Sequence, residues 1–420
     1  MTEITLKDFE QEATAFLDGN AKVREEQQFR WGEGSDNVAV LEEKSRDEEL
    51  EEVREAKAWR ATKYEAGFGW ISGPPELGGR GLPATHDRLF AALESRYDVP
   101  SQAPFGIGLG MVAPTIQAHG QEATRTYLPQ MYRGDIVACQ LFSEPAAGSD
   151  LASLQTRAER DGDEWVVNGQ KVWTSGAQYS DIGEIICRTD PDLPKHKGLT
   201  GFIVDMKAPG VDVRPLRQMT GGASFNEVFF TDVRVPDDHR LGDLNQGWTV
   251  ALTTLMNERA SIGAGGAGGG SGLANTTRLA EMLRHFGLND DPMQRQAIAR
   301  LYTNFQVAKY TNQRAMDKIR SGQTPGPELS IAKLALTRNL WDTAQFVAGV
   351  LGPRVIADTG EWGTFSWARF LLGIPGMRIA GGTDEVMRNI VGERVLGLPK
   401  DPGIDTTSAF RDLKVSTQAS

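Results

Sequence analysis

The sequence predicts an α+β protein of three parts: an N-terminal helical domain (1–135), a middle β-barrel-like domain (136–235) and a C-terminal helical bundle with a tail (236–420). Three observations predict it. Helix-forming composition and spacing dominate both ends of the chain. Short strand-like runs, separated by turn residues, crowd into the stretch between them. Strands and helices do not alternate regularly, which disfavours a doubly wound parallel sheet.

The first part is read from charge and breakers. Glu42 to Lys63 is charge-rich and helix-favouring, with so few apolar residues that it predicts a helix with a solvated face. Gly73-Pro74-Pro75 and Gly78-Gly79-Arg80-Gly81 interrupt the pattern. It resumes near Thr85, where Leu89, Ala92 and Leu93 have the spacing of one buried face. In the second part Ile136 to Phe142 is an apolar run suited to a buried strand. Asp161-Gly162 and Asn168-Gly169 predict hairpin turns on either side of Trp165-Val166-Val167. Further strands are expected at 182–187, 200–204, 211–216 and 227–235. From Gly247 to Leu398 the chain is again mostly helical.

A chain of 420 residues is long enough for two or three domains and a sizeable core. A formal charge of −11 argues against a nucleic-acid partner, which requires a basic face. The start, MTEITLKDFE, lacks the basic-then-apolar pattern of a secretory signal, and no apolar run has the length of a membrane span. Two cysteines, Cys139 and Cys187, give neither a disulfide framework nor zinc spacing, and the five histidines are scattered. A cytoplasmic protein without a metal site is expected.

Four stretches carry candidate chemistry. The first is Gln140 to Ser153, QLFSEPAAGSDLAS. A buried strand there runs into a loop of small residues, where a flat ligand can approach the backbone and N–H groups and hydroxyls can hold its oxygens. An ordinary strand-to-turn connection has the same look. The second is Gly169 to Gly176, in which Trp173 stands beside Thr174 and Ser175. An indole can stack on a flat ring while the hydroxyls bond its edge, or Trp173 can be a core residue. The third is the helix expected from Gly247 to Ile262. Trp248, Ala251, Leu252, Leu255 and Ile262 mark an apolar stripe, and Glu258 falls on it. A carboxylate on an apolar face is costly unless paired, and burial raises a carboxyl pKa, which suits a general base. Pairing with Arg259 or another cation is the plain structural alternative. The fourth is Arg378 to Glu385, where Gly381-Gly382-Thr383 opens a helix. A helix N-terminus can hold an anion or a polar ligand edge, or Thr383 can simply cap it. Gly263 to Gly268 mimics a dinucleotide fingerprint but follows a helical pattern instead of a strand. It is read as close helix packing or room for a ligand.

Together the four stretches resemble the acyl-CoA dehydrogenase family of flavoproteins. The resemblance runs along nearly the whole chain and is strongest at Ser143-Glu144-Pro145, Gly148-Ser149-Asp150 and Lys171-Val172-Trp173-Thr174-Ser175. It implies FAD as cofactor, lying between the β domain and the last helices and reaching a neighbouring subunit. Gln140, Leu141, Phe142, Ser143, Gly148 and Ser149 would line the flavin. Trp173 would pack on its ring, with Thr174 beside it and Ser175 near the reactive nitrogen. Thr383 and Glu385 would touch its ribityl and adenosine portion. Ser149 and Arg259 would face an acyl-CoA substrate. The implied reaction is α,β-desaturation of the thioester, with electrons leaving to an electron-transferring flavoprotein.

The sequence departs from the family's commonest pattern, which puts the base just before the glycine-threonine of the fourth stretch. Gly381 stands there and cannot act. The family's isovaleryl and long-chain types carry the glutamate on the earlier helix before an arginine. Glu258-Arg259 matches that arrangement, so Glu258 is the expected base. Gly349 stands where many relatives carry a glutamine toward the adenosine, and no clear Arg-x-x-Phe-Gly motif precedes Gln296. Two alternatives stay open: a structural or FAD-sharing subunit of a heteromeric dehydrogenase, and a flavin monooxygenase or oxidase on the same fold. The resemblance implies a homotetramer or a heteromer with a related subunit. Ala260, Gly263 and Gly265 fit either a bulky or branched acyl chain or tight helix packing.

Overall fold

The computed structural model describes residues 4–25, 29–41, 43–263, 275–320, 326–327, 329–400 and 405–413. The N-terminal part contains α1 (Leu6–Asn20), the short strand β1 (Lys22–Val23), α2 (Arg46–Glu65), α3 (Ala84–Glu94), β2 (Tyr97–Asp98), α4 (Ala113–His119), α5 (Glu122–Arg125) and α6 (Tyr127–Arg133). The middle part holds β3 (Ala138–Leu141), β4 (Arg157–Asp161), β5 (Glu164–Ser175), β6 (Ile182–Arg188), β7 (Leu199–Asp205), β8 (Val211–Leu216), β9 (Phe225–Pro236) and β10 (Arg240–Leu241). The C-terminal part contains α7 (Gly247–Gly263), α8 (Thr276–His285), α9 (Pro292–Arg320), α10 (Leu329–Leu351), α11 (Ser366–Met377) and α12 (Asp384–Ile390).

Local chemistry accounts for the element ends. α2 begins at Ser45, whose side chain accepts from the Glu48 N–H while the Glu48 carboxylate accepts from the Ser45 N–H. This reciprocal cap starts the helix later than the charge pattern alone predicts. On α3 the buried face is His86, Phe90 and Leu93, and Ala92 is exposed, contrary to the expected stripe. The reason is register: His86, Phe90 and Leu93 are spaced to face α1, where Phe9, Ala13 and Leu17 complete the same core.

The eight middle strands form one sheet in the order β10-β7-β6-β4-β5-β9-β8, with β3 paired in parallel to β6. One core collects residues from β3, β4, β5, β6, β7 and β9, among them Leu141, Ala158, Val167, Ile185, Phe202 and Val233. Six of the eight strands feed one interior, in keeping with the barrel-like expectation. Asn168-Gly169 is not a turn. β5 continues through it, and the pairing with β9 shifts register there. A Cβ at Gly169 would sit 2.4 Å from the Thr156 hydroxyl, so glycine serves a bulge against a close neighbour.

The outer face of the sheet meets the helices. Ala138, Phe142, Ile182, Ile186 and Leu199 pack with Val112, Ile116, Val250 and Ala251. The start of α7 lies so close to β7 that a Cβ at Gly247 would fall 2.6 Å from the Thr200 amide nitrogen. Backbone cannot yield as a flexible side chain does. Gly247→Ala is therefore expected to lower stability by about 1–3 kcal/mol, as overpacking does, measured by urea denaturation of purified protein.

Candidate functional site

The site is assembled from the end of β3. Strand alternation sends Cys139 and Leu141 into the sheet interior and Ala138 and Phe142 toward the helices. Gln140 shares the helix-facing side and is half-buried. Leu141 and Phe142 are core residues, at 0% and 5% exposure, so any contact they offer a ligand comes from backbone. Ser143 is half-buried, while Gly148 and Ser149 are exposed. The Glu144 and Ala147 backbones exchange hydrogen bonds of 2.9 and 3.1 Å, which closes the loop into a tight turn. The Val172 N–H donates to the Ser143 carbonyl at 2.8 Å, and so the first two sequence stretches lie side by side.

A buried ion pair locks them. Lys171 is fully buried and donates to the Glu144 carboxylate at 2.9 Å and to the Phe142 and Ile186 carbonyls at 3.0 and 2.9 Å. Glu144 also accepts from the Gln155 and Thr156 N–H groups at 2.7 and 2.9 Å. Burial pushes the Glu144 carboxyl upward, but Lys171 and these donors outweigh it and hold it below the usual range. Sequence reading quoted both residues as motif letters and assigned neither a task. A lysine between strand residues is the signal that was present.

Trp173 is 58% exposed and has a φ of 62°, at a register shift between β5 and β9. A bulky residue in the left-handed region is strained. The indole is not a core residue, and Phe225 meets its ring edge-on at 5.8 Å. Thr174 is buried, and its hydroxyl has no hydrogen-bond partner among the described residues. Ser175 is half-buried. An exposed ring beside a buried, unanswered hydroxyl suits a flat ligand with a polar edge.

α7 crosses the helix-facing side of the sheet. Between Trp248 and Glu258 its buried residues are Val250, Ala251 and Thr254; Trp248 and Leu255 are half-buried. Leu252, expected on the apolar stripe, is 39% exposed, because the face that meets the sheet is rotated toward Val250 and Thr254. Glu258 is half-buried, one turn beyond Thr254. The side chains of Arg259, Ala260 and Ile262 and the glycine run from 264 lie outside the described residues.

Beneath this turn stands Glu184 on β6, in register with Gln140 and fully buried. One carboxyl oxygen is 2.6 Å from the Thr254 hydroxyl, which is 2.9 Å from the Thr115 hydroxyl. The other carboxyl oxygen has no hydrogen-bond partner among the described residues. Burial pushes the Glu184 pKa up to about 8 against the smaller opposing effect of Thr254. No sequence reading singled it out. A charge among the strand residues 182–187 was the available signal.

The fourth stretch is engaged locally. Thr383 caps α12, accepting from the Val386 N–H at 3.2 Å. Glu385 is exposed and pairs with Arg388 at 3.3 Å. The buried residue is Asp384, which accepts from Arg378 at 2.8 Å and from Thr337 at 2.9 Å. Lys333 donates to the Gly382 carbonyl at 2.8 Å, which fixes the glycine turn to α10. Among the described residues no cluster of three or more His, Cys, Asp or Glu could hold a metal ion, and no helix is long and apolar enough to cross a membrane.

Residues 35–135, 139–233 and 245–396 match the family models of the acyl-CoA dehydrogenase N-terminal, middle and C-terminal domains. The chain is 41% identical over 290 residues to acyl-CoA dehydrogenase FadE34 of Mycobacterium tuberculosis, covering 69% of this chain and 39% of that protein. It is 37% identical over 358 residues to acyl-CoA dehydrogenase IpdE1 of the same organism, covering 84% of this chain and 90% of that one. Among solved structures, the Tcur3481-Tcur3483 steroid ACAD superposes with a TM-score of 0.72 at 27% identity, over 94% of this chain and 98% of that one.

Two stability measurements follow from the site. Lys171→Met leaves the Glu144 carboxylate buried without its cation and is expected to cost about 3–5 kcal/mol in denaturant unfolding. Glu184 gives a pH dependence of opposite origin. Below about 4.5 folded and unfolded chains both hold its proton, and between about 4.5 and about 8 only the folded chain does. Stability from this group therefore falls as pH rises, by about 1.4 kcal/mol per pH unit in that window. Unfolding curves across the window should show a weaker slope in Glu184→Gln.

Proposed function

The chain belongs to the acyl-CoA dehydrogenase family, whose cofactor is FAD, and on that premise we propose that it desaturates an acyl-CoA thioester at Cα–Cβ with Glu258 as the base. The observation that carries the reading is the pairing of two motifs at one place: the 140–149 turn bound to β5 at Val172, with the exposed Trp173 ring next to it. The residues fit the cofactor. The unpartnered Thr174 hydroxyl and the half-buried Ser143 and Ser175 supply polar groups beside the indole platform. Gln140, Ser143, Ser149, Trp173, Thr174 and Ser175, with the backbone of Leu141, Phe142 and Gly148, would hold the flavin. Thr383 and Glu385 would face the remainder of a cofactor, and Ser149 and Arg259 the thioester.

When bound, FAD supplies the acceptor for the hydride that leaves Cβ. The part of the chain itself is the proton. The Glu258 carboxylate takes the proton from Cα as the Cα–Cβ double bond forms. α7 presents the half-buried Glu258 on the turn after Thr254, where a carboxylate can serve as a general base. Gly381, at the position of the commoner base, leaves this role to Glu258. The reduced enzyme would pass its electrons to an electron-transferring flavoprotein. The structural similarity to a steroid ACAD supports a bulky, ring-bearing acyl group.

A second reading has one specific support. Gly381 lacks a side chain, and the paired name of the Tcur3481-Tcur3483 ACAD supports assembly with a related chain that shares the FAD. Purified protein should show a flavin spectrum that bleaches anaerobically with its thioester. Glu258→Gln should keep the flavin spectrum and lose turnover by about 10²-fold or more. Full activity in that variant would remove Glu258 from the mechanism. Bleaching that appears only after a second chain is added would favour the heteromer.

A further inference from the structure

Glu184 is fully buried and meets α7 through one bond, the Thr254 hydroxyl donating to a carboxyl oxygen at 2.6 Å. Thr254 also lies 3.3 Å from the Val250 carbonyl, and the Thr115 hydroxyl, 2.9 Å from Thr254, lies 2.9 Å from the Met111 carbonyl. The second carboxyl oxygen of Glu184 is buried without a hydrogen-bond partner, and no ion pair reaches the group among the described residues. A buried, ionised carboxylate with one hydrogen bond and no counter-charge is costly, and uptake of a proton removes that cost. Each of the three side chains is buried. The distance of 2.6 Å fits an O–H···O bond.

We propose that Glu184 is held as a neutral carboxylic acid and serves as a positioning residue for Glu258, fixing through Thr254 the turn of α7 that carries the base. The inference rests on the reading of Glu258 above. Its geometric basis is that Thr254 is one turn from Glu258 on the same side of α7, and Glu184 is in register with Gln140 on the neighbouring strand. One buried acid thus ties the strand of the flavin motif to the helix of the base. The upward shift of the Glu184 pKa has burial as its cause and agrees with the neutral form.

The other titratable groups on the packed elements do not replace it. Cys139 on β3 lies on the opposite face, and burial lifts its thiol to about 12. His119 on α4 contacts Thr253 at 2.8 Å and is pushed down by burial. Lys171, at the Ile186 carbonyl of β6, is paired with Glu144, and Arg188 at the end of β6 donates to carbonyls. Asp205 ends β7, opposite Ile182. Glu258 is the one charged side chain on α7 between Gly247 and Glu258.

The test uses FAD-loaded protein, wild type, Glu184→Gln and Glu184→Leu. Infrared difference spectra in H₂O and D₂O at pH 7 should show a protonated carboxyl band that both variants lose. Anaerobic flavin bleaching is then followed from pH 6 to 10 with octanoyl-CoA, isovaleryl-CoA and the CoA thioester of a steroid side-chain acid. Wild type should lose rate as pH rises past about 8, where Glu184 ionises. Glu184→Gln should keep the rate at neutral pH and lose that alkaline fall. Glu184→Leu should drop about tenfold or more in kcat with KM little changed, as a displaced base does. Absence of the carboxyl band in wild type would overturn the neutral acid. A wild-type rate and pH profile in Glu184→Leu would overturn the positioning role. Failure of the Glu258 reading is separate: it appears as an active Glu258→Gln variant, whatever the Glu184 spectra show.

Discussion

The site depends on a cation that never meets water. Lys171 gathers the end of β3, the turn after it and the middle of β6 around one ammonium, with Glu144 as counter-charge and two backbone donors completing the carboxylate. Such a pair adds little to stability compared with an apolar replacement of both partners. Its value is geometric. It accepts one arrangement of three backbone segments, and the neighbouring Val172 N–H and Trp173 ring inherit that arrangement.

The second fixed relation is between the sheet and α7. Apolar contacts alone allow a helix to slide and rotate over a sheet. Here three features remove that freedom. Gly247 presses backbone on backbone at β7, His119 reaches Thr253, and Thr254 is bonded to Glu184. Polar contacts inside an apolar layer are directional, so they set register where dispersion sets only distance. The side chain on the next turn, Glu258, takes its place from them.

The three-part order was legible because it rests on periodicity and turn residues, which are local signals. The strand 211–216 and the start of α7 at Gly247 lie where the sequence puts them. Details that depend on neighbours were not legible. Asn168-Gly169 has the composition of a turn, but β9 and Thr156 on either side make it a bulge in a continuous strand. Leu252 has helical spacing, yet the sheet meets α7 along Val250 and Thr254. Trp173 and the 140–149 loop were readable as a candidate ligand platform through motif chemistry, and the structure sets them side by side. Lys171, Glu184 and Asp384 were not, since a charged residue reads as surface until the fold supplies its partners.

Trp173 has a consequence for optical work on this protein. The chain has nine tryptophans, and Trp173, at 58% exposure, is the most exposed of them. Its emission belongs at the long-wavelength edge of the tryptophan spectrum and is open to collisional quenchers such as iodide. Selective excitation at the red edge of the absorption band therefore favours the indole at the candidate ligand platform, with Trp341, at 39% exposure, the next most exposed. Without any introduced label, the chain carries a fluorophore whose quenching or energy transfer reports on whatever comes to rest against β5.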